Sequence, residues 1–153
     1  MKYETAAQVI ELNQGDTVDF GEPTCELVPS DERIKETERL LGQKLPSSYI
    51  WFLKQYGGGT VHGDEILMVS AQYSPDNMLD IAAKTLSDRR NGFINNQEIS
   101  ICFTDFGEQF LLDASKENES GEYPVIRKTG DERKIVAVDF SDFLVKLINE
   151  NIF

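Results

Sequence analysis

The chain is poor in the residues that carry most enzyme chemistry. Its 153 residues include a single histidine, His62, and two cysteines, Cys25 and Cys102. One histidine excludes zinc motifs built on paired histidines, and neither cysteine has a cysteine or histidine nearby at a metal-ligand spacing. His62 lies at a predicted turn, so we interpret it as an exposed loop residue. The sequence therefore predicts no metal, no cofactor and no catalytic residue.

Two cysteines are also too few to form a disulfide framework. Cys102 lies in a strand-like alternating pattern, which predicts a buried, reduced thiol. A bridge between Cys25 and Cys102 remains an alternative, because the sequence does not tell whether the two are close in space.

Long apolar runs are missing as well. No run approaches the roughly 20 residues that a membrane-spanning helix needs. The first residues, MKYETAAQVIEL, include acids and lack the long apolar core of a secretory signal. We therefore expect a cytoplasmic protein.

Basic residues are scarce relative to acidic ones. The chain has 15 lysines and arginines against 27 aspartates and glutamates, a formal net charge of −12. This balance argues against direct binding of nucleic acid. It fits a partner that is itself basic, such as a nuclease, although solubility alone explains an acidic chain equally well.

The stretch IKETERLLGQKLPSSYIWFLKQYGGG, residues 34–59, predicts a pair of helices. Ser30 suits the N-cap of the first helix, and Gly42 suits the left-handed residue that ends it. Pro46 fits the first turn of the second helix. The glycines 57–59 end that helix and let the chain pass close to the sheet.

Glu38 falls on the apolar side of the first helix, four residues after Ile34. A carboxylate there needs a hydrogen-bonding partner, and the free amides near the start of the second helix are candidates. We expect Glu38 to connect the two helices through residues 45–49.

The remaining patterns predict a sheet with helices packed on one face, which is an α+β fold. We expect one domain with an antiparallel or mixed sheet of about five or six strands. Residues 1–29 would form an N-terminal helix (3–12) and a connector, residues 30–59 the helix pair, and residues 60–153 the sheet. Within the last part, the patterns predict strands at 60–61, 65–69, 99–103, 109–113, 123–128 and 134–138, a loop at 114–122, and helices at 78–90 and 140–148.

The helix pair resembles the signature of the SUKH superfamily, which includes the fungal Smi/Knr cell-wall regulators and many bacterial immunity proteins. Family members commonly have an asparagine where this chain has Gly57. Looser likeness continues at residues 103–107, 110–113, 123–125 and 139–144. The positions that carry the signature are Ile34, Glu38, Leu41, Gly42, Leu45, Pro46, Tyr49, Phe52, Leu53, Gly58 and Gly59.

The resemblance implies a non-catalytic immunity protein that binds and neutralises a cognate toxin domain. On this interpretation the acids near turns would face a basic partner, and two aromatic residues would anchor it. A regulatory scaffold is an alternative, and a small hydrolase using acids around Asp105 and Asp113 is a second alternative. The candidate partner-binding residues are Trp51, Tyr56, Asp64, Glu65, Asp105, Glu108 and Asp113.

Overall fold

The computed structural model describes residues 3–21 and 27–152 of the chain. In this part of the chain the helices are α1 (Glu4–Asn13), α2 (Asp31–Leu41), α3 (Ser47–Tyr56), α4 (Ile81–Arg90) and α5 (Phe140–Ile148), with a short 3₁₀ turn at Ala114–Lys116. None of these helices is long and apolar enough to cross a membrane.

Two predicted helix boundaries of the signature stretch are confirmed. The Ser30 side chain accepts a hydrogen bond from the Arg33 amide at 3.2 Å, as an N-cap should. Gly42 ends α2 in the left-handed conformation, with φ +78°.

The strands form one antiparallel sheet in which every strand pairs with its neighbours in chain order. The α+β prediction is confirmed, although the sheet has seven strands in the described part rather than five or six. The additional strand, β1, lies in the predicted connector. The strands are β1 (Val18–Phe20), β2 (Gly59–Val61), β3 (Asp64–Ile66), β4 (Glu98–Phe103), β5 (Glu108–Asp113), β6 (Val125–Thr129) and β7 (Glu132–Ala137).

This meander places three short turns at the same end of the sheet. Residues 62–63 join β2 to β3, residues 104–107 join β4 to β5, and residues 130–131 join β6 to β7. The longer connections, through α4 and through residues 114–124, leave from the other end. We call the end with the three short turns the turn end.

Helices cover both faces of the sheet, where the sequence had predicted one. Phe110 of β5 packs against Phe143 of α5, with ring centroids 5.1 Å apart. The adjacent Gln109 side chain instead donates to Asp88 of α4 at 3.0 Å. Because successive strand residues point to opposite faces, α4 and α5 lie on opposite sides of β5. The residues of β4 and β5 are correspondingly buried on both faces.

Helix α4 begins later than predicted. The pattern of Met78 and Leu79 had placed them inside the helix, but Asp80 is its N-cap and accepts from the amides of Ala82 and Ala83 at 2.9 and 3.0 Å. Asp80 is buried and also accepts from the Ser70 amide. That contact crosses ten residues, so the local pattern could not reveal it.

The glycines after α3 do what the sequence predicted. At Gly59 the backbone has φ +144°, and a Cβ there would lie 2.1 Å from the main-chain oxygen of Asp19. At Gly57, where φ is +78°, a Cβ would lie 2.8 Å from the Leu27 side chain. A larger residue at Gly59 would force β2 away from β1.

Candidate protein-binding surface

Glu38 connects the two signature helices, as expected. Its Oε2 accepts a hydrogen bond from the Leu45 amide at 2.8 Å. The contact holds the chain just before α3 against the last turns of α2. The Glu38 hypothesis is confirmed, and the geometry gives this carboxylate a structural role.

The start of α3 is bound by a second carboxylate that the sequence did not indicate. Glu122 accepts from the Ser48 amide at 3.0 Å and from the Ser48 hydroxyl at 2.5 Å. Both residues are buried, at 3% and 0% exposure. The sequence predicts a polar loop at residues 114–122, yet the last residue of this loop, Glu122, binds the helix pair from 74 positions away.

The two aromatic candidates lie within an aromatic cluster. Trp51 packs on Tyr3, the residue before α1, and on Tyr56, with ring centroids 5.0 and 5.8 Å apart. Tyr56 packs in turn on Phe20 of β1 at 5.5 Å, and burial raises the pKa of its hydroxyl. Both rings are half-buried, and they pack against other aromatic rings of this cluster.

The structure brings three of the five candidate acids together at the turn end. Asp64 begins β3, Asp105 lies in the turn between β4 and β5, and Glu108 begins β5. Burial raises the pKa of Asp64, and the nearby charges of Asp105 and Glu108 raise it further, while His62 opposes them. Glu108 also pairs with Arg127 of β6. The cluster therefore keeps negative charge close together, with one of its three members neutralised by an arginine.

The other two acids lie elsewhere. Asp113 ends β5 at the opposite end of the sheet, is 7% exposed, and accepts from the Ser115 amide and hydroxyl at 3.0 and 2.6 Å. Glu65 lies level with Thr60 and Asp19 across β2 and β1. Burial and the Asp19 charge raise the pKa of Glu65.

The separation of Asp105 and Asp113 bears on the hydrolase alternative. Asp105 lies in the turn before β5 and Asp113 at the far end of β5, whose six residues span roughly 17 Å. Paired catalytic carboxylates are about 5 to 9.5 Å apart in the glycosidases. These two acids are therefore too far apart to act as a glycosidase pair.

Phe106 is a feature of the turn end that the sequence analysis did not select. Its side chain is 91% exposed. The Thr104 hydroxyl accepts from the amides of Phe106 and Glu108 at 3.3 and 3.4 Å, and the Thr104 amide donates to the Glu108 carbonyl at 2.9 Å. The available signal was an aromatic residue inside a four-residue turn, where no core position exists for it. We define the turn-end surface as Asp64, Asp105, Phe106 and Glu108.

His62 is exposed at a turn, as predicted, with a left-handed φ of 51°. Its Nε2 lies 3.1 Å from the carbonyl oxygen of Ile148, which it can reach only as a donor. Within residues 3–21 and 27–152, no group of three or more histidine, cysteine or acidic side chains is placed to hold a metal ion.

Cys102 is a buried free thiol, as predicted. Burial, and then the charges of Asp64 and Glu65, raise the pKa of this thiol far above its usual range. Its proposed partner in the alternative disulfide, Cys25, lies outside the described residues.

The family comparison extends over nearly the whole chain. A SUKH family model described as SMI1-KNR4 cell-wall matches residues 7–149. No curated protein matches the chain. The match includes the helix pair, all seven strands and α5, with the turn end inside it. Since it covers far more than half of the sequence, the chain belongs to the SUKH superfamily, in the SMI1-KNR4 family.

Proposed function

We propose that this chain is an immunity-type protein that binds a basic toxin domain, with a nuclease as the favoured class, and neutralises it without catalysis. The observation that carries the proposal is the gathering of Asp64, Asp105 and Glu108 at one end of the sheet in a SUKH chain of net charge −12. The family is generally non-catalytic and suggests protein–protein interaction. The proposal includes a cytoplasmic location and a single domain spanning residues 1–153.

The physical argument is electrostatic. An acidic surface attracts a basic partner at long range and raises the rate of encounter. On a nuclease, the basic surface is the one that holds the nucleic-acid phosphates. Carboxylates that bind there would exclude the substrate, so inhibition requires no chemistry from this chain.

The candidate residues have different proposed roles in binding. Asp64, Asp105 and Glu108 form its centre. Glu65, Trp51 and Tyr56 are proposed as outer contacts, because each keeps part of its surface open to solvent. Asp113 would act indirectly, by holding the chain at the far end of β5.

The test begins with affinity capture of the tagged chain from native lysate at low and high salt, followed by mass spectrometry. The retained basic protein is then expressed alone and together with the chain. We expect arrest of growth in the first case and rescue in the second. A retained protein that is neither toxic nor inhibited would contradict the proposal.

Charge reversal tests the surface itself. In the Asp64→Lys/Asp105→Lys double variant we expect association at low salt to slow by about tenfold or more, because steering contributes up to about 10³ to such rates. The matched control is Glu117→Lys/Glu119→Lys, which makes the same charge change on two exposed residues of another loop. Equal slowing in both variants would assign the effect to net charge rather than to the turn end.

A regulatory scaffold remains the second candidate, favoured by the cell-wall description of the matched family. It predicts a partner that need not be basic. The scaffold function would be favoured if the captured partner is retained equally at low and high salt and is not toxic when expressed alone.

A further inference from the structure

Phe106 has the most exposed large apolar side chain in the described part of the chain. It is 91% exposed, compared with 84% for Leu12 in the last turn of α1 and 53% for Phe93 in the loop after α4. A single exposed apolar residue is common on protein surfaces. The position of Phe106 is what distinguishes it, because it lies at the tip of the turn between two central strands, β4 and β5.

The turn that carries Phe106 is well defined by hydrogen bonds. The Thr104 carbonyl accepts from the Gly107 amide at 3.3 Å, in addition to the bonds that Thr104 makes to Phe106 and Glu108. The ring is therefore presented on a preorganised backbone, so a partner would fix little beyond the side chain itself. It contributes nothing to the core clusters.

The surroundings of Phe106 favour a particular kind of partner. Asp105 is its exposed neighbour in the chain, and Asp64 and Glu108 lie beside the same turn. Interface hot spots are typically aromatic residues at the centre of a contact, surrounded by polar residues that exclude water. A second copy of this chain would bring carboxylates against carboxylates, which disfavours self-association.

We propose that Phe106 is the central anchor of the turn-end surface and inserts into an apolar pocket rimmed by lysine and arginine side chains on a basic partner protein. This inference rests on the proposed function and adds the residue that determines the lifetime of the complex. The acids speed encounter, whereas the buried ring slows dissociation.

The test measures binding kinetics of three purified chains: wild type, Phe106→Ala and Phe93→Ala. The probe is the basic protein that the immobilised wild-type chain retains from native lysate at low salt and releases at high salt. We expect Phe106→Ala to raise Kd by about thirtyfold or more, mostly through faster dissociation. Phe93→Ala should keep Kd within about twofold of the wild-type value, and both variants should have the Tm of the wild type.

The outcomes separate the two proposals. If the probe is toxic and Phe106→Ala neutralises it with wild-type affinity, the anchor is wrong and the immunity function stands. If the probe is harmless but Phe106→Ala loses affinity as expected, the immunity function fails and the anchor stands. Equal losses in Phe106→Ala and Phe93→Ala, sedimentation of the free wild type as a dimer, or retention of no protein would overturn the anchor.

Discussion

Removing the Glu122 carboxylate should destabilise the fold, because this residue completes the N-terminus of α3 from a distant loop. In the Glu122→Ala variant the Ser48 amide and hydroxyl would both lose their acceptor, and Ser48 is fully buried. Hydrogen bonds to a charged group contribute about 1.5 to 3 kcal/mol each. Part of this gain offsets the cost of burying the carboxylate, so we expect a net loss of about 3 kcal/mol.

Urea unfolding followed by circular dichroism measures this loss. With an m-value of about 2 kcal/mol/M, a loss of about 3 kcal/mol lowers the midpoint by roughly 1.5 M at unchanged m. Glu119→Ala is the matched control, since Glu119 is an exposed glutamate of the same loop. Glu122→Gln keeps one acceptor oxygen, so its loss in free energy of unfolding should be about half that of Glu122→Ala.

A midpoint for Glu122→Ala equal to that of Glu119→Ala would refute the reasoning. It would mean that water or another group replaces the carboxylate at the Ser48 amide without cost. A changed m-value would instead indicate that the denatured or native state had altered in compactness.

Three further predictions concern single residues. Burial and then neighbouring acids raise the pKa of Asp64 above its ordinary value of 3.8, so the ionised carboxylate destabilises the fold at neutral pH. Asp64→Asn should therefore raise Tm at pH 7. This gain in Tm should vanish as the pH falls below 3.8, because the carboxyl is then protonated in both the folded and the unfolded chain. In a Cys25→Ser background, Cys102 should react with a thiol reagent only as fast as the protein opens, and rapid reaction of the native chain would contradict its burial. Gly59→Ala should lower stability by at least about 3 kcal/mol or prevent folding, whereas Gly63→Ala, which meets no neighbour, should lose only about 1 to 2 kcal/mol; equal losses in thermal melts would contradict the clash.

The ends of α2 and the contact of Glu38 could be predicted from sequence because the groups that interact there are close together in the chain. Ser30 bonds to an amide three residues ahead, and Gly42 ends α2 through its own backbone conformation. The contact of Glu38 was also predictable, since its carboxylate needs a donor and the Leu45 amide just before the next helix is only seven residues away.

Longer connections could not be predicted in the same way. Glu122 and Ser48 are 74 residues apart, and neither position shows a pattern of its own. Strand β1 alternates apolar and polar residues over only three positions, which is too short a pattern to predict a strand, and it pairs with β2 through a contact made possible by Gly59. The packing of α4 opposite α5 brings Asp88 to Gln109, 21 residues away in the chain, and a single sequence does not reveal this contact.

The candidate surface could also be predicted from sequence only in part. The sequence predicts acids near turns as binding residues, and the order of the strands decides which of these acids lie close together. In a seven-stranded meander, turns at alternate connections fall at one end, so Asp64 and Asp105 come together while Asp113 lies at the other end. No property of these residues distinguishes them before the register of β4 and β5 is known.

The same topology places the turn-end surface away from the residues that form the core. The turn end lies outside the hydrophobic core, and its backbone is held by hydrogen bonds within the turn and by pairing of β4 with β5. Exposed residues at such turns can change without disturbing the sheet that presents them. Phe106 and Asp105 can therefore be substituted while the helix pair and the core stay the same. On the proposed function, an Asp105→Lys/Phe106→Ala chain should therefore lose its partner while keeping the unfolding midpoint of the wild type.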